Sequence, residues 1–187
     1  MTGNAPLVFR HYGLADARAV RGIVEKIYRD SYSEERQEDS FSSGGRFMGR
    51  FDAYTAIPGF ELVVACTEDG EPAGQAWGWP LSAESKWWTG LVAEPEPGFT
   101  REDGTRTFAL SEIMVRRPCT GRGIAHALHD ELLRDRSEER ATLLVRPANT
   151  FAYRAYTRWG WRAVAQVCPP WPDAPMFDVL MLPLHVG

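Results

Sequence analysis

Short apolar runs alternate with longer segments of helical period along this chain of 187 residues. Runs rich in Val, Ile, Phe, Trp and Tyr, bounded by Gly, Pro, Asp or Asn, are typical of β-strands. They predict strands at 7–12, 60–66, 73–79, 108–115, 141–145, 161–167 and 176–184. Helical periods predict helices at 16–30 (capped by Asp16), at 46–55, from Ile124 through Leu132, and between Asn149 and Gly160. The predicted order is β, α, α, β, β, β, α, β, α, β, β.

The most informative segment joins the predicted strand at 108–115 to the helix that begins at Ile124. Its loop contains Gly121 and Gly123, and glycine lets a backbone approach a ligand closely. The first N–H groups of a helix have no partners within it, so they form an anion site suited to a pyrophosphate. Positive charge is added by Arg116, Arg117 and Arg122. The sequence therefore predicts a phosphorylated cofactor at this turn.

Two other phosphate-binding patterns can be compared with this loop. A Walker loop has four residues between its glycines, followed by Gly-Lys-Ser/Thr, and nothing in the chain matches it. The dinucleotide fingerprint has a third glycine where His126 stands, and an acidic residue after the next strand, where this chain has Arg146. Because an arginine could suit a phosphorylated dinucleotide, a Rossmann site remains an alternative.

The same segment resembles the acetyl-coenzyme A signature of the GNAT superfamily of N-acetyltransferases. In that signature a strand ends at a valine and is followed by Arg/Gln-x-x-Gly-x-Gly/Ala at the start of a helix. Val115 ends the strand here, Gly123 and Ala125 match, and Thr120 replaces the Arg or Gln.

A second GNAT motif is similar to the segment about twenty residues further on. An apolar strand pattern at 141–145 precedes Asn149, Tyr156, Gly160 and Trp161, which recur at the family's spacings. Two motifs in the family's order and separation identify the chain as a member of the GNAT superfamily.

The resemblance implies one GNAT domain over residues 1–187, of the α/β (α+β) class. Its central mixed, mostly antiparallel sheet is flanked by helices, and its strands splay at the acetyl-coenzyme A site. The segment at about 82–106, rich in Pro, Gly and Glu, would be an insertion on the acceptor side. The implied co-substrate is acetyl-coenzyme A, with no metal. The residues implied to bind the co-substrate are Met114, Val115, Thr120, Gly121, Arg122, Gly123, Ile124, Ala125 and Asn149.

Two side chains are candidates for the proton transfers of acetyl transfer. Tyr156 occupies the position where the family's tyrosine protonates the departing sulfur, and a phenol with a pKa near about 10 stays protonated at neutral pH. Tyr153, one turn earlier, is the lesser candidate. Glu112 interrupts an apolar strand from which related enzymes often draw a base. A place on the solvent face, or in a structural salt bridge, is its alternative role, and the amine could also lose its proton to water.

Backbone and amide groups complete the implied site. The N–H of Met114 or Val115 is the expected donor to the oxyanion, because oriented backbone dipoles need no reorganisation during the reaction. Asn149 fits two roles equally well, as a helix cap and as a partner of the pantetheine arm, and one residue could serve both.

The predicted acceptor side is rich in tryptophan and carboxylates. Four tryptophans lie on the strand at 73–79 or in the segment after it: Trp77, Trp79, Trp87 and Trp88. Five acidic residues are spread over the same segment: Glu84, Glu94, Glu96, Glu102 and Asp103. Such groups suit a cationic amine, although the tryptophans could instead fill the edge of the core. We favour N-acetylation of a small primary amine. Polyamines, aminoglycoside-like compounds, amino acids and protein N-termini stay open, as do a protein or peptide N-acetyltransferase and a non-catalytic acyl-coenzyme A-binding module.

Composition and charge limit the cellular compartment and the kinds of partner that we expect. A net charge of −4 argues against a general nucleic-acid or membrane-surface role, and no apolar run reaches transmembrane length. The N-terminus lacks the pattern of a signal peptide, and three scattered cysteines do not suggest a disulfide framework. We therefore expect a cytoplasmic enzyme with neither nucleic acid nor membrane as a partner, and a homodimer remains open.

Two further features are set aside. His126 and His129 lie three residues apart on one predicted helix, a spacing that can hold a metal ion. Because no third ligand is evident nearby, we interpret both as surface residues and expect no metal. Cys119 lies in the phosphate loop, where positive charge could lower a thiol pKa, but the resemblance implies no acyl-enzyme.

Overall fold

The seven predicted strands form one sheet, which is mostly antiparallel and flanked by helices. The computed structural model describes residues 6–31 and 44–185. In chain order the elements are β1 (Val8–Tyr12), α1 (Leu14–Ala19), α2 (Arg21–Ser31), α3 (Gly44–Tyr54), β2 (Glu61–Cys66), β3 (Pro72–Pro80), β4 (Thr107–Val115), a 3-10 turn (Arg117–Cys119), α4 (Ile124–Leu133), β5 (Arg140–Val145), α5 (Thr150–Arg158), β6 (Arg162–Val167) and β7 (Phe177–Pro183). The strands are hydrogen-bonded in the order β1-β2-β3-β4-β5-β7-β6. The expected fold class is confirmed.

The sheet pairings follow from turn chemistry and chain order. β2 and β3 form an antiparallel hairpin, whose turn contains Gly70 with a φ of 84°. β6 and β7 are likewise antiparallel, on either side of the turn that contains Pro169. β4 and β5 are parallel, and their register joins Thr107–Ala109 to Arg140–Thr142. Because parallel strands need a crossover, the loop and helix α4 between them form a βαβ unit.

The structure has two helices in a segment where the sequence predicts one. We expected a single helix, capped by Asp16 and running to about residue 30, but α1 ends at Ala19 and α2 begins at Arg21. Gly13 stands at the N-cap of α1, and Asp16 lies in its first turn. Val20 breaks the helix with φ −100° and ψ 17°, and its N–H donates to the carbonyl oxygen of Ala17. The apolar period continues across this break, so the sequence pattern did not reveal it.

The chain forms two compact units, each with its own apolar interior. Of the described residues, the first unit contains 6–31, 44–79 and 112–135, and the second contains 80–111 and 136–185. Large side chains buried in the first unit include Val24, Ile27, Phe47, Phe51, Leu62, Trp77, Leu128 and Leu132. Those buried in the second include Leu81, Trp88, Phe99, Phe108, Leu110, Leu143, Trp161 and Leu180. None of the described helices is long and apolar enough to cross a membrane.

The segment at 82–106, all of whose residues are described, is built from turns rather than from helices or strands. Its one bridge pairs Leu91 with Val167. A Cβ on Gly90 would lie 2.0 Å from the carbonyl oxygen of Cys168, so only glycine fits there. This part of the second unit is fixed by backbone contacts. Its role as an insertion on the acceptor side stays a prediction.

Candidate functional site

The loop between β4 and α4 has the backbone conformation that the sequence predicts for an anion site. Gly121 and Gly123 have φ values of 76° and 74°, in the left-handed region that side-chain-bearing residues rarely adopt. Gly123 is the N-cap of α4, and Ile124, buried directly after it, anchors the helix to the core. The N–H of Ala127 donates to the carbonyl oxygen of Gly123 over 3.0 Å. The amides before Ala127 in this turn have no acceptor within the helix, so they can bind an anion.

The residues around this loop divide into structural and solvent-facing groups. Thr120, where the GNAT signature has Arg or Gln, donates its hydroxyl to the carbonyl oxygen of Arg117 over 2.9 Å and closes the 3-10 turn. Arg116 donates to the carboxylate of Asp30 and to the carbonyl oxygen of Pro72, both over 2.8 Å. The prediction that Arg116 adds charge for a phosphate is therefore wrong, because this side chain ties the loop to α2 and β3. Arg117 and Arg122 are exposed.

β3 and the end of β4 approach each other closely beside this loop. The N–H of Arg116 donates to the carbonyl oxygen of Ala73 over 2.9 Å. A Cβ on Gly74 would lie 2.7 Å from the carbonyl oxygen of Met114, so Gly74 allows an approach that any side chain would prevent. Met114 is buried, and its Sδ lies 3.7 Å from Nε2 of Gln75. The backbone of the predicted oxyanion donors is thus held firmly against β3. Sequence analysis did not single out Gly74, although a glycine inside an apolar strand is a signal of close backbone approach.

Glu112 lies on β4, three residues before the strand ends. Nη2 of Arg50 is 3.9 Å from its Oε1, and the two side chains are 25% and 24% exposed. Burial raises the pKa of the Glu112 carboxyl from 4.5 to about 7, although the Arg50 guanidinium opposes this shift. A carboxyl group that titrates near neutral pH can accept a proton from a substrate and release it to solvent. Glu112 thus forms a long ion pair with Arg50, and its role as the general base stays a prediction.

Aromatic residues from α2 and α3 accompany this pair. Phe47 stacks on Tyr28 with ring centroids 4.1 Å apart, and Cζ of Arg50 lies 5.8 Å from the Phe47 centroid. Tyr54 packs against Trp79 at 4.3 Å. Burial raises the pKa of the Tyr28 and Tyr54 hydroxyls, and both also respond to the charges of Arg50 and Glu112.

Sequence analysis missed this cluster, which we call the Glu112 cluster: Tyr28, Phe47, Arg50, Tyr54 and Glu112. The spacing of Arg50 and Tyr54, four residues apart on a predicted helix, does place them on one face. Nothing in the sequence indicates that this face meets Glu112. The cluster was therefore not predictable from local pattern.

The predicted residues of the second motif lie in the second unit. Oδ1 of Asn149 accepts a hydrogen bond from the N–H of Ala152 over 3.3 Å, which confirms the helix cap. Tyr156 is half-buried, with its ring edge-on to those of Trp159 and Trp161 at 5.6 and 6.1 Å. Gly160, with a φ of 92°, follows the helix end as predicted. The local conformation of the motif is thus as expected, and the catalytic role of Tyr156 stays a prediction.

Tyr153 differs from Tyr156 in what its hydroxyl contacts. Burial, together with the charge of Asp178 and a hydrogen bond to its carboxylate, raises the pKa of Tyr153. Asp178 also accepts a hydrogen bond from Gln166 over 3.0 Å. This link between α5, β6 and β7 gives Tyr153 a structural function and leaves it the weaker candidate for a proton donor.

Several predicted acceptor-side residues serve the core instead. Trp77, Trp79 and Trp88 are buried, with 1%, 6% and 8% of their surfaces exposed. Nε1 of Trp88 donates to Oε1 of Glu102 over 3.0 Å, and Thr107 donates to the same oxygen over 2.9 Å. The alternative that these tryptophans fill the core therefore fits Trp88, whose carboxylate partner is buried with it.

The two histidines of α4 differ from our expectation. His129 is 4% exposed, so its assignment to the surface is wrong, and Nδ1 of its ring lies 2.8 Å from Oδ1 of Asp130. Burial lowers the pKa of His129. The possible ligand atoms of His126, His129 and Asp130 lie within 4.8 Å of one another, so a candidate for a third ligand does lie nearby. The expectation that no metal binds stays a prediction.

Comparison with known proteins places this geometry in a family. The family model for the GNAT family of acetyltransferases matches residues 22–161. No protein of curated function matches the chain. An acetyltransferase from Thermus thermophilus has a TM-score of 0.62 at 13% identity, with 95% of this chain and 96% of that one covered.

Two further solved structures were determined with ligands. YncA from Salmonella typhimurium, solved with its cofactor acetyl-CoA, has a TM-score of 0.57 at 15% identity, covering 98% of this chain and 96% of that one. PaiA N-acetyltransferase from Thermoplasma acidophilum, in complex with coenzyme A, has a TM-score of 0.57 at 11% identity, covering 95% and 99%. At these identities the likenesses establish the fold. Since the family model spans both predicted motifs and well over half of the sequence, the chain belongs to the GNAT acetyltransferase family.

Proposed function

We propose that this protein transfers the acetyl group of acetyl-coenzyme A to the primary amine of a small molecule. Family membership supports acetyl transfer, and Glu112 is the observation that carries the choice of an amine acceptor. An ammonium group must lose a proton before its nitrogen can attack a thioester. A carboxyl group whose pKa is raised to about 7 is matched to that task at neutral pH.

The loop before α4 fits the phosphates of coenzyme A. Gly121 and Gly123 have positive φ values, and the space that a Cβ would enter at either position is open. The N-terminal end of a helix suits a pyrophosphate, and the exposed Arg117 and Arg122 add charge beside the start of α4. The ligands of YncA and PaiA support the same co-substrate for this chain. When bound, acetyl-coenzyme A supplies an acetyl group activated as a thioester.

Each remaining step can be assigned to a group of this chain. The carboxylate of Glu112 takes a proton from the acceptor ammonium, and the nitrogen then forms a bond to the acetyl carbon. The backbone N–H of Met114 or Val115 donates to the oxyanion. As the carbon–sulfur bond breaks, the Tyr156 hydroxyl protonates the sulfur. The nitrogen loses its second proton to solvent, and Tyr156 regains a proton from solvent. The role of Tyr156 rests on its place in the family's second motif, and those of the remaining groups on their positions along β4.

The cysteines support a reducing, cytoplasmic setting as part of this proposal. Cys66, Cys119 and Cys168 are all unpaired, and Cys66 is buried. Persistent disulfides form in oxidising compartments, so three free thiols favour the cytoplasm. Immunofluorescence or fractionation of the tagged protein would test this assignment, and recovery from an oxidising compartment would contradict it.

The first experiment is calorimetric titration of acetyl-coenzyme A into the purified protein, with NADPH as the control ligand. We expect binding of acetyl-coenzyme A alone, and thiol release when small amines are then added. Binding of NADPH instead would replace the proposal with the dinucleotide alternative. Binding without thiol release from small amines or peptides would favour a non-catalytic module, and release from peptides alone would favour a protein-directed enzyme.

A variant tests whether the loop before α4 is the cofactor site. Gly123→Glu should abolish binding of acetyl-coenzyme A, because it adds a negative charge and a side chain where the phosphates would lie. Gly70→Glu is the matched control, since Gly70 also has a positive φ (84°) and open surroundings but lies in the β2–β3 turn. Both variants place a side chain at a positive φ, so both have backbone strain of the same kind. Equal affinity in the two variants would contradict the assignment of the loop.

A further inference from the structure

Helix α4 brings together two imidazoles and a carboxylate that no step of the proposed reaction uses. We propose that His126, His129 and Asp130 bind one divalent transition-metal ion, Zn²⁺. This inference does not depend on the proposed function, because acetyl transfer and cofactor binding are assigned to other side chains. It replaces the expectation that no metal binds, which rested on the apparent lack of a third ligand near the two histidines.

The spacing of the three residues places their ligand atoms close together. His126 lies three residues before His129 and four before Asp130, so both are its neighbours on the surface of the helix. Oδ1 of Asp130 is 2.8 Å from Nδ1 of His129 and 3.5 Å from Nε2 of His126. Bonds of about 2.0–2.1 Å to a common Zn²⁺ ion leave ligand atoms about 3.0–3.5 Å apart. The side chains therefore need only small shifts to share one ion.

The hydrogen bonds that these side chains already make are compatible with such a site. The contact between His129 and Asp130 holds a proton, and a metal ion binds where that proton is lost. Each imidazole also has two nitrogens. One nitrogen can bind the ion while the other keeps a partner in the protein, as most ligating histidines do.

The three side chains differ in exposure in a way that suits an ion entering from solvent. The His129 side chain is 6% exposed, whereas those of His126 and Asp130 are 51% and 58% exposed. Packing holds the buried ring in place, so this ligand loses little conformational freedom when it binds. The two exposed ligands leave room for water to complete the coordination of the ion, since Zn²⁺ often has three protein ligands and one water.

The chemistry of the ligands selects the class of metal. Imidazole nitrogen binds Zn²⁺ and neighbouring transition metals well, whereas Mg²⁺ and Ca²⁺ prefer sets made of oxygen atoms alone. Among the residues that the structure describes, no other group of three or more His, Cys, Asp or Glu side chains lies this close together. One ion per chain is therefore expected.

The alternative role of Asp130 is to pair with the two histidines without any metal. Loss of Asp130 would then change the stability of the protein by the same amount with and without Zn²⁺. A bound ion would instead join the first turn of α4 to the next one, and it would stabilise the folded state in proportion to its affinity. The two roles therefore differ in a response to Zn²⁺ that can be measured.

The test is calorimetric titration of ZnCl₂ into the full chain after treatment with a chelator, with MgCl₂ as the comparison. The melting temperature of each protein is measured with and without Zn²⁺. The two ligand variants are His126→Ala and Asp130→Asn, and the matched controls are His185→Ala and Asp135→Asn. All four positions are exposed, so we expect each variant to fold, which circular dichroism would check. Cys119→Ser is added because the Cys119 thiol is free and could bind Zn²⁺.

We expect wild type to bind one equivalent of Zn²⁺, with no binding of Mg²⁺. Each ligand variant should weaken the Zn²⁺ affinity by about tenfold or more and lose the rise in melting temperature, whereas both controls and Cys119→Ser should match wild type. Wild type without Zn²⁺ binding, or ligand variants with unchanged affinity, would overturn the inference. Loss of binding in Cys119→Ser with retention in His126→Ala would assign the ion to the thiol and overturn it as well. The proposed function is tested separately by the binding of acetyl-coenzyme A and by thiol release, so either proposal can fail alone.

Discussion

A side chain on Gly74 would bring its Cβ within 2.7 Å of the carbonyl oxygen of Met114. The same atom would lie 3.0 Å from Cδ1 of Leu128 and 3.3 Å from Cγ2 of Val115. β3, the end of β4 and helix α4 therefore meet at a point where only a hydrogen atom fits. Because Met114 and Val115 are the expected oxyanion donors, Gly74 fixes the position of a backbone on which catalysis would depend.

Gly74→Ala should destabilise the protein by about 1–3 kcal/mol, because a backbone carbonyl cannot move aside as a flexible side chain can. The free energy of unfolding, measured by urea denaturation, checks this value. Gly49→Ala is the matched control, since Gly49 is exposed on α3 with nothing within 4 Å of its added Cβ. Alanine there should be neutral or stabilising by up to about 1 kcal/mol. Equal losses in the two variants would contradict the proposed steric role of Gly74.

Gly74 also illustrates which parts of the site the sequence could predict. The loop with Gly121 and Gly123, the helix that it begins and the cap at Asn149 were predicted, because each depends on neighbours within a few residues. Such local requirements leave a pattern in the sequence. Every strand end was predicted to within one residue for a similar reason, since turn residues separate the apolar runs.

The features that the sequence did not predict depend on distant partners. Arg116 was expected to face a phosphate, but its partner Asp30 lies on α2, 86 residues earlier. Arg50 approaches Glu112 from α3, and no local period shows that approach. His129 was assigned to the surface, although the helix turns it inward beside the buried Leu128. In each case the choice of partner is made by tertiary packing, which a single sequence does not specify.

The titration of Glu112 should set the pH dependence of activity. Burial raises the pKa of this carboxyl to about 7, and the base must be ionised to accept a proton. We expect kcat/KM to rise with pH through about 7 and to level above it, provided that the fraction of neutral amine is allowed for. Glu112→Gln should lose this limb of the profile together with most of the activity. A wild-type profile without an ionisation in this range would indicate that water, and not Glu112, accepts the proton of the amine.

The same pKa has a consequence for stability. The folded carboxyl binds its proton more tightly than the unfolded one, whose pKa is 4.5, so the native state retains a proton that the unfolded state releases between pH 4.5 and about 7. Stability therefore falls with rising pH across this window. Between pH 4.5 and 7.5 the free energy of unfolding of Glu112→Gln, measured relative to that of wild type, should rise by up to about 3 kcal/mol.

Urea denaturation at several pH values would measure this gain for Glu112→Gln. Glu68→Gln, at an exposed position in the β2–β3 turn, is the control and should not follow this pH course. If the difference in the free energy of unfolding between Glu112→Gln and wild type did not change with pH, the titration of Glu112 would not be what lowers the stability of wild type. An activity loss together with the expected gain in stability would mark Glu112 as a residue retained for function.

Tyr156→Phe removes one hydroxyl from a ring that packs edge-on against two tryptophans. If that hydroxyl protonates the departing sulfur, kcat should fall by about a hundredfold or more, with the affinity for acetyl-coenzyme A within about twofold of wild type. Tyr153→Phe is the control on the same helix. It loses the bond to Asp178, which should cost about 1 kcal/mol of stability with turnover retained. Should the two variants exchange these phenotypes, the proton donor would be Tyr153.

The two roles of Asn149 can be separated because its side chain has two ends. Oδ1 caps α5 by accepting from the N–H of Ala152, which leaves the amide nitrogen to donate to a ligand. Asn149→Asp keeps a capping oxygen, so its stability should match wild type, whereas Asn149→Ala should lose about 1 kcal/mol. If the nitrogen donates to the pantetheine arm, both variants should bind acetyl-coenzyme A more weakly, as measured by calorimetry. Asn149→Asp with wild-type affinity would restrict Asn149 to capping, since only the donor distinguishes the two side chains.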